Sequence, residues 1–300
     1  MYSVEKLYRP SSVEEALDIL DKDPGTLPLA GGTDVIVTMR KKRPKNVKLL
    51  SLAGIEQLKG VFKMADGTVS IGPMTSFTGI AGDPIIQQKY PMLATAALSM
   101  GGPQIQNVAT IGGNVCNGAV SADSAPSLFA LDARIVLQSV SSERIVAIED
   151  FYLGPGKVAK EKNELMTRIL IPPHESFFGG TYIKFSTRKA MDLAILGTAA
   201  TCTIDEKQKI CKVTIALGVA APTPIRCPKA EAFLTGKLLD RDMLEEAGRL
   251  AVLEASPRDS WRASKRYRTG LIQELTGRAL EEAYRRAGGR IYDTDSVDIK

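Results

Sequence analysis

Two glycine pairs carry the spacing most suggestive of chemistry. The first lies in Leu27-Pro28-Leu29-Ala30-Gly31-Gly32-Thr33-Asp34-Val35. The second lies in Asn107-Val108-Ala109-Thr110-Ile111-Gly112-Gly113-Asn114-Val115-Cys116-Asn117-Gly118. Glycine reaches positive φ at no steric cost and lets a ligand come close to the main chain. Thr33, Asp34, Thr110 and Asn114 add short polar side chains beside the amides so exposed. Each pair alone is accounted for by a tight turn. Two such bends in one domain favour a shared anion, and a nest of N–H donors of that size suits a diphosphate, hence a dinucleotide.

The elements that must position these bends are legible in outline. Ser12-Val13-Glu14-Glu15 is a capping box opening an amphipathic helix that ends near Pro24-Gly25. A short strand over 27–30 runs into the first pair, followed by a helix over 33–40 and a strand over 48–52. Ala65-Asp66-Gly67 between Val61-Phe62-Lys63-Met64 and Thr68-Val69-Ser70-Ile71 marks a hairpin. A helical stretch over 84–100 is broken at Pro91, a further helix covers 124–131, and 134–140 pairs with 144–148 around Ser141-Ser142. Ile171-Pro172-Pro173-His174 reads as a linker. Beyond it come strands over 181–185, 198–204 and 210–219, then helices from 229, over 242–254 and over 262–286. The expectation is α+β throughout, with domains over 1–176 and 177–288 and a tail over 289–300.

Composition narrows the function. The chain has 300 residues, 44% of them hydrophobic and 24% charged, which is ordinary for a globular protein. No apolar run reaches the roughly 18 residues of a membrane span, and the start lacks a basic-then-apolar leader, so a cytoplasmic location is expected. Cys116, Cys202, Cys211 and Cys227 show no CxxC spacing that would hold a zinc or iron–sulfur site. The net charge of +5 concentrates late, at Arg258, Arg262, Lys265, Arg266, Arg268, Arg278, Arg285, Arg286 and Arg290. That reads as a solvated helical face or one facing an acidic protein, and no nucleic-acid motif accompanies it.

The absences matter as much. No GxGxxG follows a strand, and Gly154-Pro155-Gly156-Lys157 continues with Val158, so neither a Rossmann site nor a P-loop is present. The one histidine, His174, falls in the linker, where it reads as solvated rather than catalytic. Redox chemistry here would have to be carried by a bound cofactor.

The glycine segments resemble the two flavin-diphosphate loops of the FAD-binding subunits of molybdenum hydroxylases, most closely the xanthine dehydrogenase branch. Further strings agree: Gly102-Pro103-Gln104-Ile105, Cys116-Asn117-Gly118-Ala119-Val120-Ser121-Ala122-Asp123-Ser124, Gly154-Pro155-Gly156-Lys157, Ala190-Met191-Asp192, Gly218-Val219-Ala220-Ala221-Pro222-Thr223-Pro224-Ile225-Arg226 and Ser260-Trp261-Arg262-Ala263-Ser264. The resemblance implies a two-subdomain FAD domain of the vanillyl-alcohol-oxidase (PCMH) type, followed by a smaller three-stranded antiparallel sheet with helices. It implies FAD on this chain, NAD as acceptor, and companion subunits carrying molybdopterin and [2Fe-2S] clusters, assembled as a dimer of heterotrimers, without nucleic acid or membrane.

Carried onto this sequence, the resemblance gives Leu27, Pro28, Leu29, Ala30, Gly31, Gly32, Thr33 and Asp34 as one diphosphate arm. Ala109, Thr110, Ile111, Gly112 and Gly113 form the other, with Asn114 and Asn117 as side-chain donors. Asp123 would accept from a ribose hydroxyl or an adenine-side donor, or else cap the next helix. Leu165 would pack by the flavin or adenine. Lys184 would lie near the isoalloxazine, and Arg188 and Asp192 on a loop covering it. The same resemblance admits nicotinate, an aldehyde, carbon monoxide or an aromatic thioester as the substrate of the complex, or a flavin-free scaffold role.

Overall fold

The computed structural model describes residues 3–291, so most of the expected tail lies outside the described residues. Three apolar cores organise the chain. The first is built where the capped helix Val13–Lys22 lays Val13, Ala16, Leu17 and Leu20 against Leu50 and Leu52. Ser12 accepts from the Glu15 amide at 3.2 Å, as the capping box requires, while the Glu15 carboxylate reaches back to the Ser11 amide at 2.8 Å. Its sheet is parallel, in the order Val4–Tyr8, Val47–Ser51, Leu27–Leu29. The outer strand Val4–Tyr8 has no sequence signature of its own.

The second core lies under a five-stranded antiparallel sheet ordered Val61–Lys63, Val69–Ile71, Leu165–Ile171, Arg134–Gln138 and Glu143–Ala147. Both expected hairpins are its edges. Helices Pro84–Lys89 and Pro91–Ser99 meet at Pro91, and each opens with proline at its first turn, where the missing N–H costs nothing. The third core joins strands Phe178–Phe185, Leu196–Ile204 and Ile210–Gly218 to helices Arg241–Glu254 and Lys265–Arg286. A two-residue strand, Ile225–Arg226, follows Pro222-Thr223-Pro224 and adds a fourth to the three expected.

The second and third units are interlocked. Helix Ser124–Ala130 packs on the C-terminal sheet, and its last carbonyl, of Ala130, accepts from the buried Thr214 hydroxyl at 2.6 Å and from Thr201 at 3.4 Å. Arg226 reaches back to Asp132 at 2.7 Å and Glu149 at 3.1 Å while holding Glu231 at 2.7 Å. Much of the late basic charge is spent locally. Arg278, Arg285 and Arg286 pair with Glu274, Glu281 and Glu282 one turn away, and Arg268 is buried. No helix among the described residues is long and apolar enough to cross a membrane.

His174 departs from its expected solvated state. Its ring stacks on Phe178 at 4.0 Å and meets Tyr90 edge-on at 5.6 Å, with Nε2 enclosed and unpartnered. Burial, helped by Lys212 and Lys89 and opposed by Asp132, pushes its pKa down to about 4. An unfolded histidine binds a proton near pH 6.5, so His174 contributes full stability above that pH and loses it as pH falls from 6.5 towards 4. Discounting the full shift for partial exposure leaves about 2 kcal/mol. Thermal melts of wild type and His174→Phe should keep a constant offset above about pH 7 and change that offset in acid, with the variant falling less. Parallel profiles would show that the imidazole carries no such linkage.

Candidate functional site

The three units share one cleft of about 860 Å³. Strand Leu27–Leu29 delivers the first glycine pair to its wall, and helix Val35–Lys42 leads away from it. Gly32 has φ +74°, which a side chain would strain. Gly31 is pressed on the neighbouring segment so closely that a Cβ would stand 2.1 Å from the Val108 carbonyl oxygen. The two glycine-bearing segments are therefore in contact, as the paired-bend reading required. Among the described residues the amides of Gly31, Gly32, Thr33 and Asp34 have no acceptor in the chain, and Asp34 makes no side-chain cap. Four neighbouring free N–H groups facing a cleft are a cradle for an anion.

The second pair is built differently from expectation. Gly112 and Gly113 lie not in a turn but in the helix Ile111–Cys116, capped by Thr110, whose hydroxyl accepts from Gly113 N at 3.1 Å. Ile111 N donates to Thr75 O at 3.1 Å, Gly112 N to Pro73 O at 2.8 Å and Asn114 N to Thr110 O at 3.0 Å. The amides of Ile111, Gly112, Gly113 and Asn114 are thus already used. What it offers the cleft is a close-packed glycine surface plus the side chains of Asn114 and Asn117. Asn114 Oδ1 accepts from Ser124 Oγ at 2.7 Å, which leaves its NH₂ for a ligand.

Asp123 lines the floor and does not cap the helix it precedes. Its Oδ1 accepts from Tyr182 Oη at 3.1 Å and its Oδ2 from Lys184 Nζ at 2.9 Å. Lys184 also donates to the carbonyls of Ser99 and Asp192, both at 2.9 Å, so its three protons are satisfied. Both side chains are at least nine-tenths buried. Burial raises the Asp123 carboxyl above its ordinary range, against the pull of Lys184 and Tyr182. A carboxylate has further lone pairs, so Asp123 can still accept from a ligand hydroxyl or N–H. Lys184 sits behind the wall rather than on it, as do Leu29 and Ile111; the other expected residues, Leu27, Pro28, Ala30, Ala109, Thr110 and Leu165 among them, line the cleft.

The Arg188 to Asp192 loop forms part of the rim. Arg188 N donates to Asp192 Oδ2 at 2.9 Å, and Met191, at φ +51°, is pinned by its amide to Gly101 O at 2.8 Å. The lining also includes Thr26, Met100, Lys160, Lys162, Trp261 and Arg262, none of which the sequence assigned a role. Cys116 lines it too, but burial pushes its thiol up to about 11, so it is no nucleophile at neutral pH. Gly154-Pro155-Gly156-Lys157 forms a small hairpin away from the lining.

A cleft with an anion cradle at the junction of an α+β domain and a small antiparallel sheet suits a phosphate-bearing ligand, and comparison with known proteins gives the class of subunit that has this fold. The family model described as the FAD binding domain in molybdopterin dehydrogenase matches residues 2–174, and that of the CO dehydrogenase flavoprotein C-terminal domain matches 181–283. The chain belongs to this family of FAD-binding subunits of molybdenum hydroxylases. It is 38% identical to the putative xanthine dehydrogenase FAD-binding subunit of Escherichia coli K12, covering 97% of this chain and 100% of that one. It is 30% identical to the glyceraldehyde dehydrogenase medium chain of Sulfolobus acidocaldarius, covering 94% and 99%. A solved carbon monoxide dehydrogenase from Hydrogenophaga pseudoflava superposes with a TM-score of 0.90 at 29% identity, over 95% of this chain and 99% of that one.

Proposed function

We propose that this chain binds FAD in the cleft as the flavin subunit of a xanthine-dehydrogenase-type complex and passes electrons to NAD. The observation that supports this most is the set of four unpartnered amides at residues 31–34, held against the Ala109 to Gly113 segment by the contact of Gly31 with Val108. The chemistry supplied by bound FAD would be the joining of two single electrons from [2Fe-2S] clusters of a companion subunit with one proton from water, to leave as hydride to NAD. The chain's own work is to bind and orient. The amides of residues 31–34 would hold the diphosphate, each charge-assisted bond contributing about 1.5–3 kcal/mol. Asn114 and Asn117 would donate from the second arm, Leu165 would pack against a ring, and Asp123 would accept from a hydroxyl or ring N–H. Lys184 would steady Asp123 and not face the flavin bare.

In this reading residues 1–176 form the PCMH-type FAD domain and 177–288 the flavoprotein C-terminal domain, in a cytoplasmic dimer of heterotrimers with a molybdopterin subunit and a [2Fe-2S] subunit. The full-length likeness at 38% identity favours purines over nicotinate, aldehydes, carbon monoxide or thioesters. That choice would be made on the molybdenum subunit. The purified chain should show flavin absorbance at one FAD per chain, bleached by NADH, and should co-purify from its source with both companions. A chain without flavin bands that rebinds no added FAD would refute the reading.

A further inference from the structure

We propose that Trp261 and Arg262 form a stacking and anion-binding platform for the acceptor dinucleotide at the mouth of the cleft. The inference rests on the reading of the cleft as a site where FAD meets NAD. Trp261 is the sole tryptophan of the chain and is 86% exposed, more than any other large apolar side chain among the described residues. Its exposure is not that of a loose loop. Ser260 N donates to Ala263 O at 3.0 Å, Arg262 N to Ser260 Oγ at 3.3 Å, and Lys265 N to Asp259 Oδ1 at 2.7 Å.

Beneath them the buried Arg268, with no carboxylate partner among the described residues, spends its guanidinium on the loop. It donates to Ser260 Oγ at 2.8 Å, to Ala263 O at 3.2 Å and to Arg258 O. Its Nε goes to Ile195 O at 3.2 Å, which ties the loop to the segment carrying Asp192, the carbonyl partner of Lys184. The backbone that carries the tryptophan is thus tied, through Arg268, to the rim segment that follows Asp192, and Trp261 itself lines the cleft. A rigid aromatic held in water is ready to stack without further ordering cost.

One face is already covered: the Arg262 guanidinium lies 4.2 Å from the Trp261 ring centroid. The other face is open. Arg262 forms no ion pair among the described residues, so its guanidinium has no carboxylate to neutralise it. A planar base against the free face and a phosphate at the guanidinium edge would satisfy both groups, and a dinucleotide carries both. The FAD diphosphate already has its cradle at residues 31–34, which leaves the platform to the second nucleotide.

The test uses the full FAD-loaded chain and NAD or NADH as probe. Because there is one tryptophan, its emission reports Trp261 alone. NAD should quench it saturably. Trp261→Ala should keep wild-type flavin content yet raise the NADH concentration for half-maximal flavin bleaching about ten-fold, the loss of one base–aromatic stack. Trp261→Phe should recover most of that loss, and Arg262→Met should weaken NADH with flavin retained. Loss of FAD from Trp261→Ala would move Trp261 into the flavin site and overturn the proposal. So would an unchanged NADH dependence, even if Trp261→Ala also shed a companion subunit. Failure of the wild-type chain to bind FAD would instead strike the proposed function, and it is read separately from the flavin spectrum.

Discussion

The Gly31→Ala chain should fold and purify colourless. A Cβ at this position would stand 2.1 Å from Val108 O and 2.9 Å from Ala109 Cα, both main-chain atoms that have no side-chain freedom with which to yield. The two segments must move apart, and the free amides of residues 31–34 move with them. Losing alignment of two charge-assisted bonds removes roughly 3–6 kcal/mol, which is at least about a hundred-fold in FAD affinity. The cost to the apo-fold is smaller, because the loop borders the cleft and is only partly buried. Flavin absorbance per chain, together with the melting temperature of flavin-stripped protein, separates the two effects. A fully yellow Gly31→Ala chain would show that the cradle lies elsewhere.

Lys184→Met should be strongly destabilising through Asp123. It removes the cation that lies 2.9 Å from a carboxylate only 5% exposed, and leaves that charge with the Tyr182 hydroxyl alone. Breaking one partner of such a pair costs about 3–5 kcal/mol, whereas removing both charges costs much less. Chemical denaturation of Lys184→Met, Asp123→Asn and the double variant should therefore be far from additive, with the double more stable than Lys184→Met. Additive losses would show that the two groups do not interact. Since the Lys184 charge is balanced by Asp123, the field that the pair presents to the cleft is that of a dipole rather than of a lone positive charge.

The sequence made visible what depends on local chemistry. The Ser12 cap, the Asp66-Gly67 hairpin, the prolines at 84 and 91, and the alternation in the C-terminal strands each have a cause within a few residues. Residues whose state is set by distant partners stayed hidden. Gly112 and Gly113 are poor helix formers, yet they sit in a helix because Thr110 caps it and because Thr75 and Pro73 take the amides of Ile111 and Gly112. Strand Val4–Tyr8 exists only through parallel pairing with Val47–Ser51. Asp123 could be read as cap or ligand, and only the fold brought Tyr182 and Lys184 to it from some sixty residues away. His174 looked wet because it falls in a proline-rich linker, where nothing local signals that the chain folds Phe178 back onto it or that Tyr90 comes in from a distant helix junction. The paired glycine segments were legible as a site; which of their N–H groups remain free was not.

Asp123 and Lys184 come from opposite sides of the seam between the flavin domain and the C-terminal sheet, a seam also stitched by Thr214 and Arg226. Each half supplies only one member of that pair. A chimera that grafts the sheet of one relative onto the flavin domain of another inherits half of a charge couple from each parent. Such recombinants should succeed only where both donors kept matching residues along that suture.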